Sequence, residues 1–245
     1  MEERQMKILA LDSSGMVASV AVVEDERLLA EYTVNYKKTH SQTLLPMLHE
    51  IGEMIELDLN SVDAIAVAGG PGSFTGLRIG SATAKGLGLA LDKPLVHVPT
   101  LEGMAYNLFG TDRVICPMMD ARRNQVYTGI YEFRENRLQV LEDQMAVPAS
   151  EIAEKLNALG REVILLGDGS LAYKEQLAEL LTVPYSLAPA HLHQQRASSV
   201  AVCAMEYVKQ GKTETAAAHQ PDYLRVSQAE RERAQRMAQQ SQTEQ

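Results

Sequence analysis

Apolar residues open the chain in short blocks. Lys7 to Leu11, Val17 to Val23 and Leu28 to Val34 are rich in aliphatic and β-branched residues, and Asp12-Ser13-Ser14-Gly15 and Glu24-Asp25-Glu26 separate them. Runs of this length bounded by turn residues predict three strands in an antiparallel meander. From Ser41 to about Leu57 the period changes. Leu44, Leu45, Met47, Leu48, Ile51, Met54 and Ile55 cover about half the circumference of a helix, and Glu50, Glu53 and Glu56 hold its wet side. Half is wider than one sheet contact requires, so the edge carrying the adaptable Met47 and Met54 is expected to face a partner.

The stretch from Ala64 to Leu91 has a third pattern. Ala64 to Ala68 is a buried strand stopped by Gly69-Gly70-Pro71-Gly72, and a nearly all-apolar helix follows, with Ser73 as its N-cap. Gly76, Gly80, Ala84 and Gly88 fall four apart on one ridge, while Arg78, Lys85 and Asp92 share another face. A helical glycine costs about 0.8–1 kcal/mol against alanine, so something must pack closely there. Either the helix lies on its own sheet, or the ridge meets another element or another chain. The second alternative makes this ridge and the edge of the preceding helix one contact patch, with Gly80→Leu expected to keep the fold and lose association.

After a strand at Leu95 to Val98 and a short helix from Pro99, the first half closes near Gly110, and the order then begins again. Val114 to Met119, Gln125 to Phe133 and Arg137 to Met145 read as strands, Ser150 to Leu159 as a helix, and Val163 to Leu166 as a buried strand. Gly167-Asp168-Gly169-Ser170 is a second glycine turn, and Leu171 to Leu181 a second helix. Repetition at about 105 residues predicts two similar α/β subdomains, residues 1–110 and 111–225, with Asp12 and Asp120 at matching strand ends. Residues 184–194 read as an irregular crossing, 195–210 as a helix, and His219 to Arg225 as a last ordered segment. Beyond Val226 the chain is polar and is expected to be a solvated helix or disordered, dispensable for fold and binding.

A net charge of −9 argues against a chain that grips nucleic acid by itself. The charged start and the absence of a long apolar run predict a cytoplasmic protein with no membrane segment. Cys116 and Cys203 suit buried thiols. The glycine turn resembles an anion site at a helix N-terminus, yet Leu77-Arg78 stand where a P-loop needs lysine and a hydroxyl. Asp12 and Asp120 either hold magnesium or cap their turns. His40 and His49, and His191 and His193, pair without a third ligand, so no metal site is expected; His40 is expected to cap or pack.

LALDSS at Leu9 to Ser14, HSQTLLPML at His40 to Leu48, GGPGSFTGLRIG at Gly69 to Gly80, MDARRNQVY at Met119 to Tyr127 and PDYLR at Pro221 to Arg225 together resemble the bacterial TsaB (YeaZ) family. The resemblance implies two duplicated actin-like (RNase H-like) subdomains of the actin-like ATPase and sugar-kinase superfamily. It implies a non-catalytic subunit that binds and supports a paralogous enzyme, TsaD, in a complex with the ATPase TsaE. That complex transfers a threonylcarbamoyl group to the adenosine next to the anticodon of tRNAs reading codons that begin with A. In the TsaD-like enzymes, formerly classed as glycoproteases, an HxEGH metal motif stands where this chain has Thr100-Leu101-Glu102-Gly103-Met104. A hydroxyl and a thioether are poor replacements for two imidazoles, so no metal chemistry is expected at that place.

By the same resemblance no residue is catalytic and no cofactor is required, with at most weak ATP or ADP and magnesium between the lobes. The degenerate nucleotide positions are Asp12, Ser13, Ser14, Gly70, Gly72, Ser73, Asp120, Gly167 and Gly169. The expected partner surface is His40, Leu44, Met47, Leu48, Ile51, Met54, Gly76, Gly80, Thr83, Ala84, Leu87 and Gly88, serving TsaD in the complex and a second copy in a homodimer when the chain is alone. Transfer RNA is met only through the complex. The competing readings are a stand-alone actin-like ATPase or kinase and a metal-dependent peptidase.

Overall fold

Two five-stranded sheets carry the molecule, and both are threaded in the same order. The computed structural model describes residues 5–36 and 40–225; the polar stretch beyond Val226 lies outside them. In the first sheet β1 (Lys7–Asp12), β2 (Val17–Glu24) and β3 (Arg27–Asn35) form the antiparallel meander. β4 (Ala64–Gly70) and β5 (Leu95–Pro99) add in parallel, giving the order β3-β2-β1-β4-β5. In the second, β6 (Val114–Asp120), β7 (Gln125–Arg134), β8 (Arg137–Pro148), β9 (Val163–Leu166) and β10 (Tyr185–Leu187) repeat that arrangement as β8-β7-β6-β9-β10. The fold is the duplicated α/β arrangement that the element order predicts.

The central strands read as continuous apolar runs because both faces are covered. On one face of the first sheet, Leu9, Leu11, Val20, Ile65 and Val67 meet α1 (Leu44–Met54) and α2 (Phe74–Leu91). On the other, Ile8, Ala10, Ala21, Ala66 and Val96 meet α7 (Ala197–Lys209), which arrives from the far end of the sequence. Ser19 Oγ accepts from Ala197 N at 2.9 Å, and the Glu31 carboxylate accepts from Ser198 N at 3.0 Å, from Ser198 Oγ at 2.6 Å and from Arg196, fixing the start of α7 on β2 and β3. The second sheet is covered by α4 (Ala149–Leu159) on one side. On the other, Leu101, Met104 and Ala105 of α3 (Thr100–Ala105) pack on Ile115, Tyr131 and Ile164.

Three local readings change. The first predicted helix is shorter, since a single 3-10 turn at His40–Gln42 precedes α1 and the helix ends at Met54. The helix expected over 171–181 is two pieces, α5 (Asp168–Ala172) and α6 (Lys174–Leu180), broken at Tyr173. The crossing at 184–194 contains β10, whose three residues are too few to show a period but pair in parallel with β9.

Candidate functional site

The strand ends of both sheets open into one cleft of about 500 Å³ between the lobes. Ser14, Gly15 and Met16 line it from the β1–β2 turn, Gly72 to Thr75 from the start of α2, Asp120 to Arg123 from the β6–β7 turn, and Asp168 from α5. Its last wall is the C-terminal segment Asp222 to Arg225. That segment is strapped down. Asp222 N donates to Gly69 O at 2.7 Å, Arg225 Nη1 donates to Ala121 O at 2.7 Å, and the Tyr223 ring lies 4.8 Å from that of Phe74, over which Arg78 also stacks at 3.9 Å.

Of the nucleotide positions read from the sequence, Ser14, Gly72, Ser73 and Asp120 line the cleft, while the others shape it from behind. Asp12 is 1% exposed and is a turn cap, since its Oδ1 accepts from Ser14 N at 2.9 Å and from Ser14 Oγ at 2.7 Å. Burial pushes its carboxyl up to about 6, and the bonds from Ser14 only partly oppose that. Ser13 Oγ donates to Gly76 O at 2.8 Å, tying the first turn to α2. Gly70, Gly167 and Gly169 exist for closeness: a Cβ would enter the backbone of Asp222 at the first and of Met118 at the other two, and Gly70 and Gly167 also have positive φ (132° and 93°).

In the second lobe Asp120 Oδ1 accepts from Arg122 N at 2.8 Å and Asp168 Oδ1 accepts from Asp120 N at 3.1 Å. Burial, and then the neighbouring Asp120 charge, raise the Asp168 carboxyl above its ordinary range. Arg122, Arg123 and Asn124 all have φ near +60°. Three consecutive left-handed residues without a glycine are an unusual turn, and two of them place arginines on the cleft wall. With Arg225 bonded to Ala121 beside them, the cleft has cationic groups for an anion next to three carboxylates, Asp120, Asp168 and Asp222.

The expected contact patch on α1 and α2 is corrected by burial. Gly76, Gly80, Ala84 and Gly88 face inward: a Cβ at Gly76 would enter the Ser13 carbonyl, one at Gly80 would lie 2.5 Å from Ser13 Oγ, and one at Gly88 would lie 2.9 Å from both Ala216 and Leu95. Leu44, Met47, Leu48 and Ile51 are likewise core, and Thr83 and Leu87 are half-buried. His40 is half-buried and bonds through Nε2 to Gly15 O at 2.8 Å. Only Met54 of that set is well exposed, at 78%. The outward faces of the same helices carry Leu45, Pro46 and His49 on α1 and Ala82, Gly86, Leu89 and Ala90 on α2. The four-residue spacing revealed a ridge but not the side on which its neighbour lies.

A family model described as TsaD: tRNA N6-adenosine threonylcarbamoyltransferase matches residues 27–233. The tRNA threonylcarbamoyladenosine biosynthesis protein TsaB of Bacillus subtilis is 34% identical over 92% of this chain and 96% of its own length. The chain belongs to the TsaB family. The Escherichia coli TsaB is 33% identical over 90% of this chain and 95% of its own. The structure of YeaZ from Pseudomonas aeruginosa superposes with a TM-score of 0.77 at 27% identity, covering 89% of this chain and all of that one. The role of the TsaB family lies in the biosynthesis of threonylcarbamoyladenosine in tRNA. Among the described residues no helix is long and apolar enough to cross a membrane.

For this TsaB-family chain, the place of the HxEGH motif is built into the fold. Thr100 is fully buried and its Oγ1 accepts from Gly70 N at 3.1 Å; Met104 is core; Glu102 accepts from Tyr207 OH at 2.7 Å. The histidines that do approach one another were invisible in sequence. His97 on β5 and His219 near the end of the chain come together with Glu214, and no local spacing could have paired them.

Proposed function

We propose that this chain is the non-catalytic subunit that binds and supports TsaD, in a complex with TsaE that places a threonylcarbamoyl group on the adenosine next to the anticodon. The observation that carries this reading is membership of the TsaB family over nearly the whole chain, joined to a site in which the HxEGH positions are held by Thr100 and Met104, both turned into the protein's own interior. A metal-dependent peptidase or transferase acting at that place would lack both imidazoles, and the remaining Glu102 is taken up by Tyr207.

The surface we assign to TsaD is the outward face of α1 and α2, with Leu45, Met54, Ala82, Gly86 and Leu89 in place of the buried ridge. Small residues on α2 let a second helix approach, and Leu45, Met54 and Leu89 supply apolar area beside them. In the absence of TsaD a second copy would use the same face in a two-fold homodimer. Transfer RNA, which the net charge of −9 disfavours as a direct ligand, is met through the complex in the cytoplasm. ATP or ADP with magnesium would bind weakly in the interlobe cleft, through Arg122, Arg123 and Arg225 rather than through Asp12.

The test is gel filtration of the chain mixed with TsaD of its own organism, alongside hydrolysis and nucleotide-binding assays on the chain alone. A stoichiometric complex and no turnover by the isolated chain are expected. Turnover of ATP by the chain alone, at rates typical of kinases and without TsaD, would favour the stand-alone ATPase instead.

A further inference from the structure

His97, Glu214 and His219 each offer one ligand atom, and these three atoms lie within 4.8 Å of one another. Glu214 Oε1 is 2.7 Å from His219 Nδ1, Asp222 Oδ2 is 3.2 Å from His97 Nε2, and the two imidazole centroids are 5.6 Å apart. His219 is 0% exposed, and its Nε2 has no hydrogen-bond partner. Nε2 of His97 has none either, because Asp222 approaches it out of line. A buried polar atom without a partner is unfavourable by about 1–3 kcal/mol. Glu214 already meets Nδ1 on the other edge of the His219 ring, so an ion that takes Glu214 takes Nδ1 with it in place of their hydrogen bond; two imidazoles beside two carboxylates are the donor types of a borderline divalent cation.

The framework around these groups is set by backbone bonds. Leu95 N donates to Glu214 O at 2.8 Å and Glu214 N to Leu95 O at 2.9 Å, clipping the C-terminal segment to the start of β5. Lys85 Nζ holds the His219 carbonyl at 2.9 Å and that of Ala217 at 3.1 Å. Gly69 on the neighbouring β4 makes room, since a Cβ there would run into the His97 ring.

We propose that His97, His219 and Glu214 bind one divalent cation of the zinc class, with Asp222 as the fourth ligand, and that this ion pins the C-terminal segment to β5. Tetrahedral zinc with bonds of about 2.0–2.1 Å spaces its ligands about 3.3 Å apart, so Glu214 and His219, now 2.7 Å apart as a hydrogen-bonded pair, would part slightly while the imidazoles draw together by side-chain rotation. Magnesium and calcium, which favour shells of oxygen, are poorly served by two imidazoles. The site is separate from Thr100–Met104. Glu214, His97 and Asp222 also line a surface cavity of about 450 Å³, which gives the ion a path in. Asp222 is bonded to Gly69 and leads into Tyr223 and Arg225 on the cleft wall, so the ion would steady one side of the interlobe cleft.

The experiment uses the full chain without an affinity tag, stripped by a chelator and titrated with zinc against a chromophoric competitor, with a cobalt(II) titration read by visible absorption. One equivalent with a submicromolar Kd, a tetrahedral cobalt spectrum and a rise in Tm on adding zinc are expected. His97→Gln and Glu214→Gln, at partly exposed positions, should each weaken binding by about 100-fold or more while keeping the circular dichroism of the metal-free protein; His219→Gln is read only if it folds. Absence of saturable zinc binding by the unmodified chain overturns the proposal, as does unchanged affinity in both folded variants.

Discussion

Gly76 and Gly86 lie ten residues apart in α2, and the same added methyl group should move stability in opposite directions at the two. Gly86 is exposed, and a Cβ there would find nothing within 4 Å. Gly86→Ala therefore removes backbone freedom from the unfolded chain without a clash, which stabilises a helix interior by about 0.8–1 kcal/mol. For a chain of this size that is a Tm rise of about 2–4 °C. At Gly76 the new Cβ would enter the backbone carbonyl of Ser13, and a carbonyl in a tight turn cannot swing aside as a side chain can. The move would disturb two bonds that register the β1–β2 turn against α2, Ser13 Oγ to Gly76 O at 2.8 Å and Gly76 N to the Ser73 Oγ cap at 3.4 Å. Overpacking of this kind costs about 1–3 kcal/mol, several degrees of Tm in the other direction. Urea and thermal unfolding of the two single variants, at concentrations low enough that the chain is monomeric and the outward face of α2 is free of a second copy, decide it. Equal stabilisation by both would mean that the ridge is not packed against the protein's own turn, and destabilisation by Gly86→Ala would mean that its face is covered.

Gly86→Arg should leave the fold intact and weaken co-elution with TsaD by at least about tenfold, whereas Gly80→Leu, aimed at Ser13 Oγ, should lower Tm first; normal TsaD binding by folded Gly86→Arg sinks the surface assignment. Because burial holds Asp12 near 6 in the folded chain against 3.8 for its ordinary value, the folded state keeps a proton that the unfolded state loses. Stability should fall by about 3 kcal/mol between pH 4 and 6 and stay lower above it. Asp12→Asn, which preserves the acceptor for Ser14, should flatten that slope and raise Tm at pH 7.5, and a lower Tm there would show that the charge itself is needed. At Glu31 burial pushes the carboxyl up, but the bonds from Arg196 and Ser198 outweigh it and hold the pKa below 4.5. Its stabilisation is present above that value and lost as pH falls through the folded one. Glu31→Gln should therefore melt lower at pH 7, with the gap closing in acid; a gap independent of pH would refute the ion-pair account.

Strands and their order were legible because burial on both faces leaves continuous aliphatic runs, as in Ile8–Leu11 and Val163–Leu166, and turn residues punctuate them. Duplication was legible from that order, with Asp12 and Asp120 falling at corresponding strand ends. What failed was the direction in which a patterned face looks. Gly76, Gly80, Ala84 and Gly88 announce close packing, yet the identity of their neighbour depends on where Ser13 and Ala216 end up, which is a long-range fact. Met47 looked like the rim of a wide apolar stripe and is core because β2 and β3 curl beneath α1. The pairing of His97 with His219 depends on the strap at Glu214 returning to Leu95, and nothing in the spacing of either histidine encodes it. Similarly, β10 is three residues long and reads as part of a loop.

The exchange of helices between the two sheets has a consequence for how the protein is made. The face of the first sheet built from Ile8, Ala10, Ala21 and Ala66 stays apolar and open until α7 has been synthesised. The core of the second sheet under α4, by contrast, is drawn from residues 114–187, a contiguous piece available earlier. The half that leaves the ribosome first is thus the half that finishes last, with a greasy sheet waiting through the synthesis of roughly a hundred further residues. A nascent chain stalled before Ala197 should be a client for chaperones, and release of α7 should end that dependence.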